Sequence, residues 1–286
     1  MLVYISLFGK VEYSDYFYCI NSSFVMKLTF SRILCIGAVN CIMACGCSSV
    51  KLMTYNVGVF SKYADDSAPE VAAMIREKGA RSVAINEQDS CNRRHNVYQT
   101  KHLAECLGEE WHYAYRGAMP YMGGSYGEGL VTKDKVIDEY AINMPLGVGA
   151  EPRVCVVVET KRYVFASTHL DHVSDVARTD QARQISETLK AKYSESGKPV
   201  FLCGDLNSDP DSNPIKVLLK DWTILSRLEP TFPSDNPAAC IDYIMLLNNG
   251  AKVKVLKSEV CTGFRFGDVT RASDHLPLFV EVRLKQ

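Results

Sequence analysis

Eight polar residues of this chain stand where strand-like runs end or interrupt themselves. Asn56 lies in Thr54-Tyr55-Asn56-Val57, and Glu87 follows the short apolar run that ends at Ile85. His169 closes a β-branched run in Ser167-Thr168-His169-Leu170-Asp171-His172, and Asp205 and Asn207 share Gly204-Asp205-Leu206-Asn207. Asp274 and His275 precede the last apolar run in Ser273-Asp274-His275-Leu276-Pro277. Asp242 falls inside Ile241-Asp242-Tyr243-Ile244, where a carboxylate is costly unless it is paired or metal-bound. Ionised carboxylates with asparagine are hard oxygen ligands suited to Mg²⁺, Mn²⁺ or Ca²⁺. Histidines beside carboxylates are placed to move protons or to stabilise anionic charge. Each piece alone is an ordinary cap or turn signal. The set of four acids, two asparagines and two histidines points to metal-assisted attack of water on a phosphate ester.

Such a set needs a rigid scaffold with its polar residues on the loops. Lys51 to Val59 begins with alternating polar and apolar residues. Arg153 to Glu159 and Arg162 to Ser167 are β-branched and aromatic about a tight Thr160-Lys161 turn, the pattern of a hairpin. Pro199 to Cys203, Cys240 to Leu247 and Leu276 to Val282 read as buried strands. Ser67-Ala68-Pro69-Glu70 has capping-box spacing and opens a helix with Val71, Met74 and Ile75 on one face. Ser174 opens a longer helix, with Ala182, Ile185, Leu189 and Tyr193 at helical spacing. Asp209 to Pro214 marks a turn into another short helix, and Gly123-Gly124-Ser125-Tyr126-Gly127 reads as a loop before a strand.

With these pieces in order, the sequence resembles the endonuclease/exonuclease/phosphatase superfamily of metal-dependent phosphoesterases, in a bacterial subgroup of metal-dependent hydrolases. The matching segments are TYNV, INEQ, GEGLVTK, STHLDH, GDLN, IDYI and SDHLP, spread over nearly all of Lys51 to Arg283. The resemblance implies an α+β fold: a four-layer α/β/β/α sandwich of two mixed sheets flanked by helices, with the site at one end. It implies Mg²⁺ or Mn²⁺ as cofactor, held by Glu87 with Asn56 and Asp274 near it. Asp205 would orient or activate the attacking water, and Asn207 would hold that water or a phosphate oxygen. His169 would stabilise charge on the phosphate. His275, oriented by Asp242, would transfer a proton or clamp the phosphate, so the base stays open between Asp205 and His275. Arg153 has the chemistry to bind a phosphate oxygen or to form an ion pair at a strand edge. Asp171 and His172 are candidates for lining the site. Asn86 stands where many nucleases of the superfamily have Gln. The segment expected of abasic-site endonucleases is replaced by Thr-His-Leu-Asp-His, which argues against base-excision repair.

Composition bounds the substrate. The 286 residues carry 32 Lys+Arg against 33 Asp+Glu, a net charge of −1, with 47% hydrophobic residues. This excludes a disordered or collagen-like chain and speaks against a generic nucleic-acid binder. Three substrates compete: a phosphorylated small molecule such as a sugar or inositol phosphate, a phospholipid head group, and a nucleic acid cleaved by a secreted nuclease. Arg93-Arg94-His95 is a small basic patch that reads as a solvated loop. A non-catalytic surface-binding module is the alternative of a different class. Five of the eleven cysteines fall in the first 47 residues. There, Lys27 and Arg32 precede an apolar run, Ile33 to Ala44, broken only by Asn40 and too short to span a membrane. A small residue then a cysteine ends it, as in a bacterial lipoprotein processing site, with Cys45 as the lipidated residue. We therefore expect residues 1–49 to be an extension plus a signal or lipoprotein peptide. Residues 50–286 are expected to be a monomeric catalytic domain in the cell envelope, touching membrane only through a lipid anchor. The remaining cysteines lack zinc-site spacing, and Cys155 and Cys203 read as small core residues.

Overall fold

Alternation of buried side chains decides the architecture. In the computed structural model, which describes Ile5–Ser6, Gly9–Lys10 and residues 49–285, Val50 and Leu52 face one apolar cluster while Met53 and Tyr55 face another. A strand apolar on both sides must be covered on both sides. The chain divides into Met1–Cys47 and Ser48–Gln286. In the first unit, β1 (Ile5–Ser6) and β2 (Gly9–Lys10) pair antiparallel. The expected processing site at Cys45 lies outside the described residues. Among those described, no helix is long and apolar enough to cross a membrane.

The second unit holds two mixed six-stranded sheets. One contains β3 (Ser49–Asn56), β4 (Ser82–Ser90), β5 (His112–Tyr121), β6 (Gly124–Thr132), β13 (Val253–Val260) and β14 (Leu278–Leu284), in the order β13-β14-β3-β4-β6-β5. The other contains β7 (Val136–Asn143), β8 (Val154–Thr160), β9 (Val164–His169), β10 (Val200–Asp205), β11 (Trp222–Ile224) and β12 (Asp242–Leu247), in the order β11-β12-β10-β9-β8-β7. The parallel pairs are β3 with β4 and β9 with β10. Phe201, Cys203, Ile244, Leu52, Leu130 and Val280 belong to the layer between the sheets. Helices α1 (Ala68–Lys78) and α2 (Gln99–Leu107) cover the outer face of the first sheet, and α3 (Asp175–Tyr193) and α4 (Asn213–Leu218) that of the second. A one-turn helix, α5 (Val269–Ala272), precedes β14. This is the α/β/β/α sandwich expected.

Two local readings change. α1 begins where the capping-box spacing places it, but Ser67 makes no side-chain cap: its hydroxyl donates to the Ala272 carbonyl and Glu70 accepts from the Asp268 amide. The amide of Ala68 is satisfied by Asp66 instead. Tertiary partners outbid the local ones. The glycine-rich segment at 123–127 is not a loop either. Its turn is confined to Met122 and Gly123, and β6 starts at Gly124. The Ser174 cap of α3 forms as expected, its hydroxyl accepting from the Ala177 amide at 3.2 Å.

Candidate active site

Strand parity gathers the polar residues. In β3, β6, β9, β10 and β12 Asn56, Glu128, His169, Asp205 and Asp242 stand two or four positions beyond the last residue of the inter-sheet core. Each therefore points between the sheets, at the end where the apolar layer stops. Asn86 follows Ala84 on the same face of β4. Strict alternation would then turn Glu87 outward, onto the face of Val83 and Ile85. A register shift between Ile85 and Gln88, with a positive φ of 58° at Glu87, turns it back. A left-handed glutamate costs on the order of 1 kcal/mol, and such strain collects at functional sites. Asn207, with φ 47°, is the other left-handed residue among the eight site candidates.

Asn56 is the hub. Its Nδ2 donates to Glu87 Oε1 at 3.0 Å and to Asp205 Oδ2 at 3.1 Å, while its Oδ1 accepts from the Gly58 amide at 3.2 Å. His275 Nδ1 lies 2.9 Å from Asp242 Oδ2, which also accepts from Thr231 at 2.6 Å. The other ring nitrogen, Nε2, stands 3.6 Å from Asp205 Oδ2. Ser273 donates to the Asn56 carbonyl at 2.6 Å, which ties the Ser-Asp-His segment to the end of β3. Asp274 pairs with Lys62 at 2.8 Å, and Lys62 also feels the charge of Glu87. Asn207 Nδ2 lies 2.8 Å from His169 Nε2, and its backbone amide donates to Asp205 Oδ1 at 2.8 Å. All eight residues singled out in the sequence converge here.

Arg153 is brought in as well, and not as a surface ion pair. It is buried, with Nη1 3.4 Å from His169 Nδ1, Nη2 3.1 Å from His172 Nδ1, and Glu151 at 3.3 Å. Asp171 does not line the site. It accepts from the amides of Ala150, Val173 and Ser174, holding the loop before β8 against the start of α3. Three further residues matter that the sequence does not single out as site residues: Asn86, Glu128 and Arg94. Asn86 donates to Glu128 Oε2 and to the Thr168 carbonyl, both at 2.9 Å, and accepts from the Asp205 amide at 3.0 Å. Glu128 is fully buried, with Oε1 unpartnered 3.8 Å from His169 Nδ1. Its signal was present: a carboxylate in the otherwise uncharged run Gly127 to Thr132, the argument already applied to Asp242. The Arg93-Arg94-His95 segment is a largely exposed loop, as expected, from which Arg94 and His95 both reach the buried Asp89.

Burial and neighbouring charge divide the titrating groups. Burial pushes the Asp205 carboxyl up to about 7, against the pull of His275. Burial alone would lower His275, but the Asp242 and Asp205 carboxylates hold it up at about 10. His169 is driven well below the usual histidine range by burial and by the Arg153 charge. The site thus presents one cationic and one neutral imidazole to a shared carboxylate. Asp205, Asp242 and His275 also place three ligand-type atoms within 4.8 Å of one another, a group that could hold a metal ion.

Residues 53–275 match the Endonuclease/Exonuclease/phosphatase family. The chain belongs to this family. No curated protein matches it. Among solved structures, an endonuclease/exonuclease/phosphatase family protein from Bacteroides thetaiotaomicron is 18% identical with a TM-score of 0.66, over 84% of this chain and 99% of that one. A mannosyl-6-phosphatase from the same organism is 19% identical with a TM-score of 0.67, over 82% and 99%. The human Nocturnin catalytic domain, with bound sulfate, is 14% identical with a TM-score of 0.61, over 83% and 95%. At these identities the likeness is one of fold. Family members are phosphoester hydrolases, which makes this chain a hydrolase at that general level.

Proposed function

We propose that this protein is a divalent-metal-dependent hydrolase that cleaves phosphate esters by in-line attack of water. The observation that carries the reading is the Asn56 hub. One neutral amide joins the carboxylates of Glu87 and Asp205, with the Asp242–His275 pair immediately behind. The donor chemistry fits Mg²⁺ or Mn²⁺ at Glu87, with Asn56 and Asp274 beside it, because all offer hard oxygens. The group of Asp205, Asp242 and His275 fits less well, because the two carboxylates hold His275 protonated, and an imidazolium has no lone pair to give a metal. When bound, the ion supplies Lewis acidity and neutralises charge on the phosphate.

The chain's own groups do the rest. Asp242 fixes the His275 ring through Nδ1, leaving the Nε2 proton aimed at the reacting oxygens. Asp205, raised toward neutrality, is suited to accept a proton from water. Asn207 and the neutral His169 line the other side of Asp205, with Asn207 Nδ2 shared between His169 Nε2 and the Leu170 carbonyl, and would face the phosphate from there. Arg153 orients His169 from behind and adds fixed positive charge. In-line displacement at phosphorus needs this positioning and neutralisation more than covalent chemistry.

The test uses the full chain with Mg²⁺ or Mn²⁺ against a phosphomonoester, a phosphodiester, plasmid DNA, sphingomyelin and inositol phosphates. EDTA should abolish hydrolysis. Glu87→Ala, Asp205→Ala and His275→Ala should each lower kcat at least about 10³-fold while thermal unfolding stays cooperative. Full activity in any of the three, or in EDTA, overturns the reading.

A further inference from the structure

Beside the catalytic residues a cavity of about 240 Å³ is lined by Glu87 at one part and by Arg94, Tyr121, Tyr126 and Glu151 elsewhere. Arg94 is tied there to a buried carboxylate. Its Nε and Nη2 donate to the two oxygens of Asp89 at 2.8 and 2.9 Å, and Asp89 has no solvent exposure. His95 Nδ1 approaches the same carboxylate at 2.6 Å, and Asn92 Oδ1 accepts from the Arg94 and His95 amides. The guanidinium stacks 4.7 Å from the Tyr121 ring centroid and 5.9 Å from that of Tyr126. Burying a carboxylate to fix an arginine contributes little net stability, so the arrangement calls for another role.

The donor count gives one. A guanidinium has five N–H donors in a planar fork. Two are spent on Asp89; no side chain or carbonyl among the described residues takes the other three, two of which lie side by side on the Nη1–Nη2 edge. Two donors side by side in a fixed plane match a carboxylate or phosphate. At about 240 Å³ the cavity has room for several waters, or for a group about the size of one small ring.

We propose that Arg94 is a specificity-determining residue, which binds a second anionic group on a compact phosphate ester while the first phosphate is cleaved beside Glu87. This deepens the phosphoesterase reading and rests on it. Neutral alcohol portions, or chains too long to fold into the cavity, leave the Arg94 edge unused.

The experiment compares glucose 1,6-bisphosphate with glucose 6-phosphate. Turnover is measured on the full-length wild type with Mg²⁺. Binding is measured by calorimetric titration in the His275→Ala background, where turnover is stopped. The bisphosphate should be preferred at least tenfold in both. Arg94→Met keeps the apolar stem over Tyr121 and removes the fork. It should lower kcat/KM and affinity for the bisphosphate about 30-fold and for the monophosphate less than threefold. Arg94→Lys keeps an ion pair with Asp89 and serves as a second variant if the Met variant does not unfold cooperatively. It should lose most of the preference, because a point charge lacks the fork. A bisphosphate preference under threefold in the wild type, or one that survives both substitutions, overturns the proposal. If neither compound is turned over, the affinity ratio alone decides the anion subsite, while the hydrolase reading stands or falls separately on the wider substrate panel.

Discussion

At the scale of single residues, the buried acid Glu128 gives the cleanest prediction. Burial raises its carboxyl to about 8, only partly offset by Arg153 and the Asn86 hydrogen bond. A folded-state value above the unfolded one means that the folded chain holds this proton where the unfolded chain has lost it. The resulting stability is complete below about pH 4.5, the range of a free glutamate, and drains away as pH rises through 8. Glu128→Gln keeps an acceptor for Asn86 and cannot ionise. Urea denaturation in EDTA should therefore show the variant gaining on the wild type steadily from pH 5 to 8, with the two close at pH 4.5. Parallel curves would mean that Glu128 is ionised in the folded protein or that water reaches its unpartnered oxygen. The same residue shows how reading a sequence can miss half of a cluster. Asp242 and Glu128 interrupt apolar strands in the same way, on facing sheets, and one histidine lies beside each.

At the scale of elements, β9 and β10 carry His169 and Asp205 side by side, and Gly204 lets them approach. Its φ is +146°, and a Cβ there would stand 1.8 Å from the Thr168 carbonyl oxygen of the neighbouring strand. Gly204→Ala should cost about 3 kcal/mol or more through strain and a pried ladder, and should remove activity even in the fraction that folds. Gly263, with open space around its missing Cβ, is the control: Gly263→Ala should stay within about 0.5 kcal/mol of the wild type. Chemical denaturation with an activity assay on each variant separates the two effects. The interior strands were legible in the sequence for the same reason that Gly204 is needed: they are enclosed. β3, β4, β6, β8, β9, β10, β12 and β14 each announce themselves as apolar or β-branched runs. The strands that do not are β5, β7, β11 and β13, the four sheet edges. β5 and β13 are half exposed and carry polar residues where an interior strand would be apolar, and β11 has only three residues. α2 went unread too, since its buried face is only Gln99, Thr100, Leu103, Ala104 and Leu107. Site residues followed the same division. Most of those at the ends of interior strands were legible, Asn86 and Glu128 excepted. The partners of Arg94 were not legible, because Asp89, Tyr121 and the exposed loop that carries Arg94 come together only in the fold.

At the scale of the whole molecule, the site exists only where the two sheets meet, so their relative placement is part of the chemistry. Side chains pin the sheets at both ends. At the site end Asn86, from one sheet, holds the Thr168 carbonyl and the Asp205 amide of the other. At the far end Ser82 of β4 bonds the Tyr163 hydroxyl at 2.8 Å, just before β9, and Tyr163 also reaches Asp134. The two pins should differ in consequence. Asn86→Ala removes three hydrogen bonds directly beneath Asp205 and His169, and a displacement of about 1 Å at reacting groups costs on the order of 100-fold. We expect kcat/KM to fall by about that factor, with a stability loss of about 2–4 kcal/mol from the bonds and the orphaned Asp205 amide. Tyr163→Phe removes a buried hydroxyl far from the chemistry. Ser82 keeps Thr132 and Asp134 keeps Arg81, so the cost should be about 1–2 kcal/mol with kcat/KM unchanged. Kinetics and urea denaturation of the two variants, at matched fractions folded, give the comparison. Equal losses of activity would mean that sheet spacing is set globally and Asn86 has no special place. An active Asn86→Ala would mean that Asp205 and His169 are positioned by their own strands alone. The expected split, activity lost at one end and only stability at the other, places the positioning of this site in a single side chain that crosses from sheet to sheet.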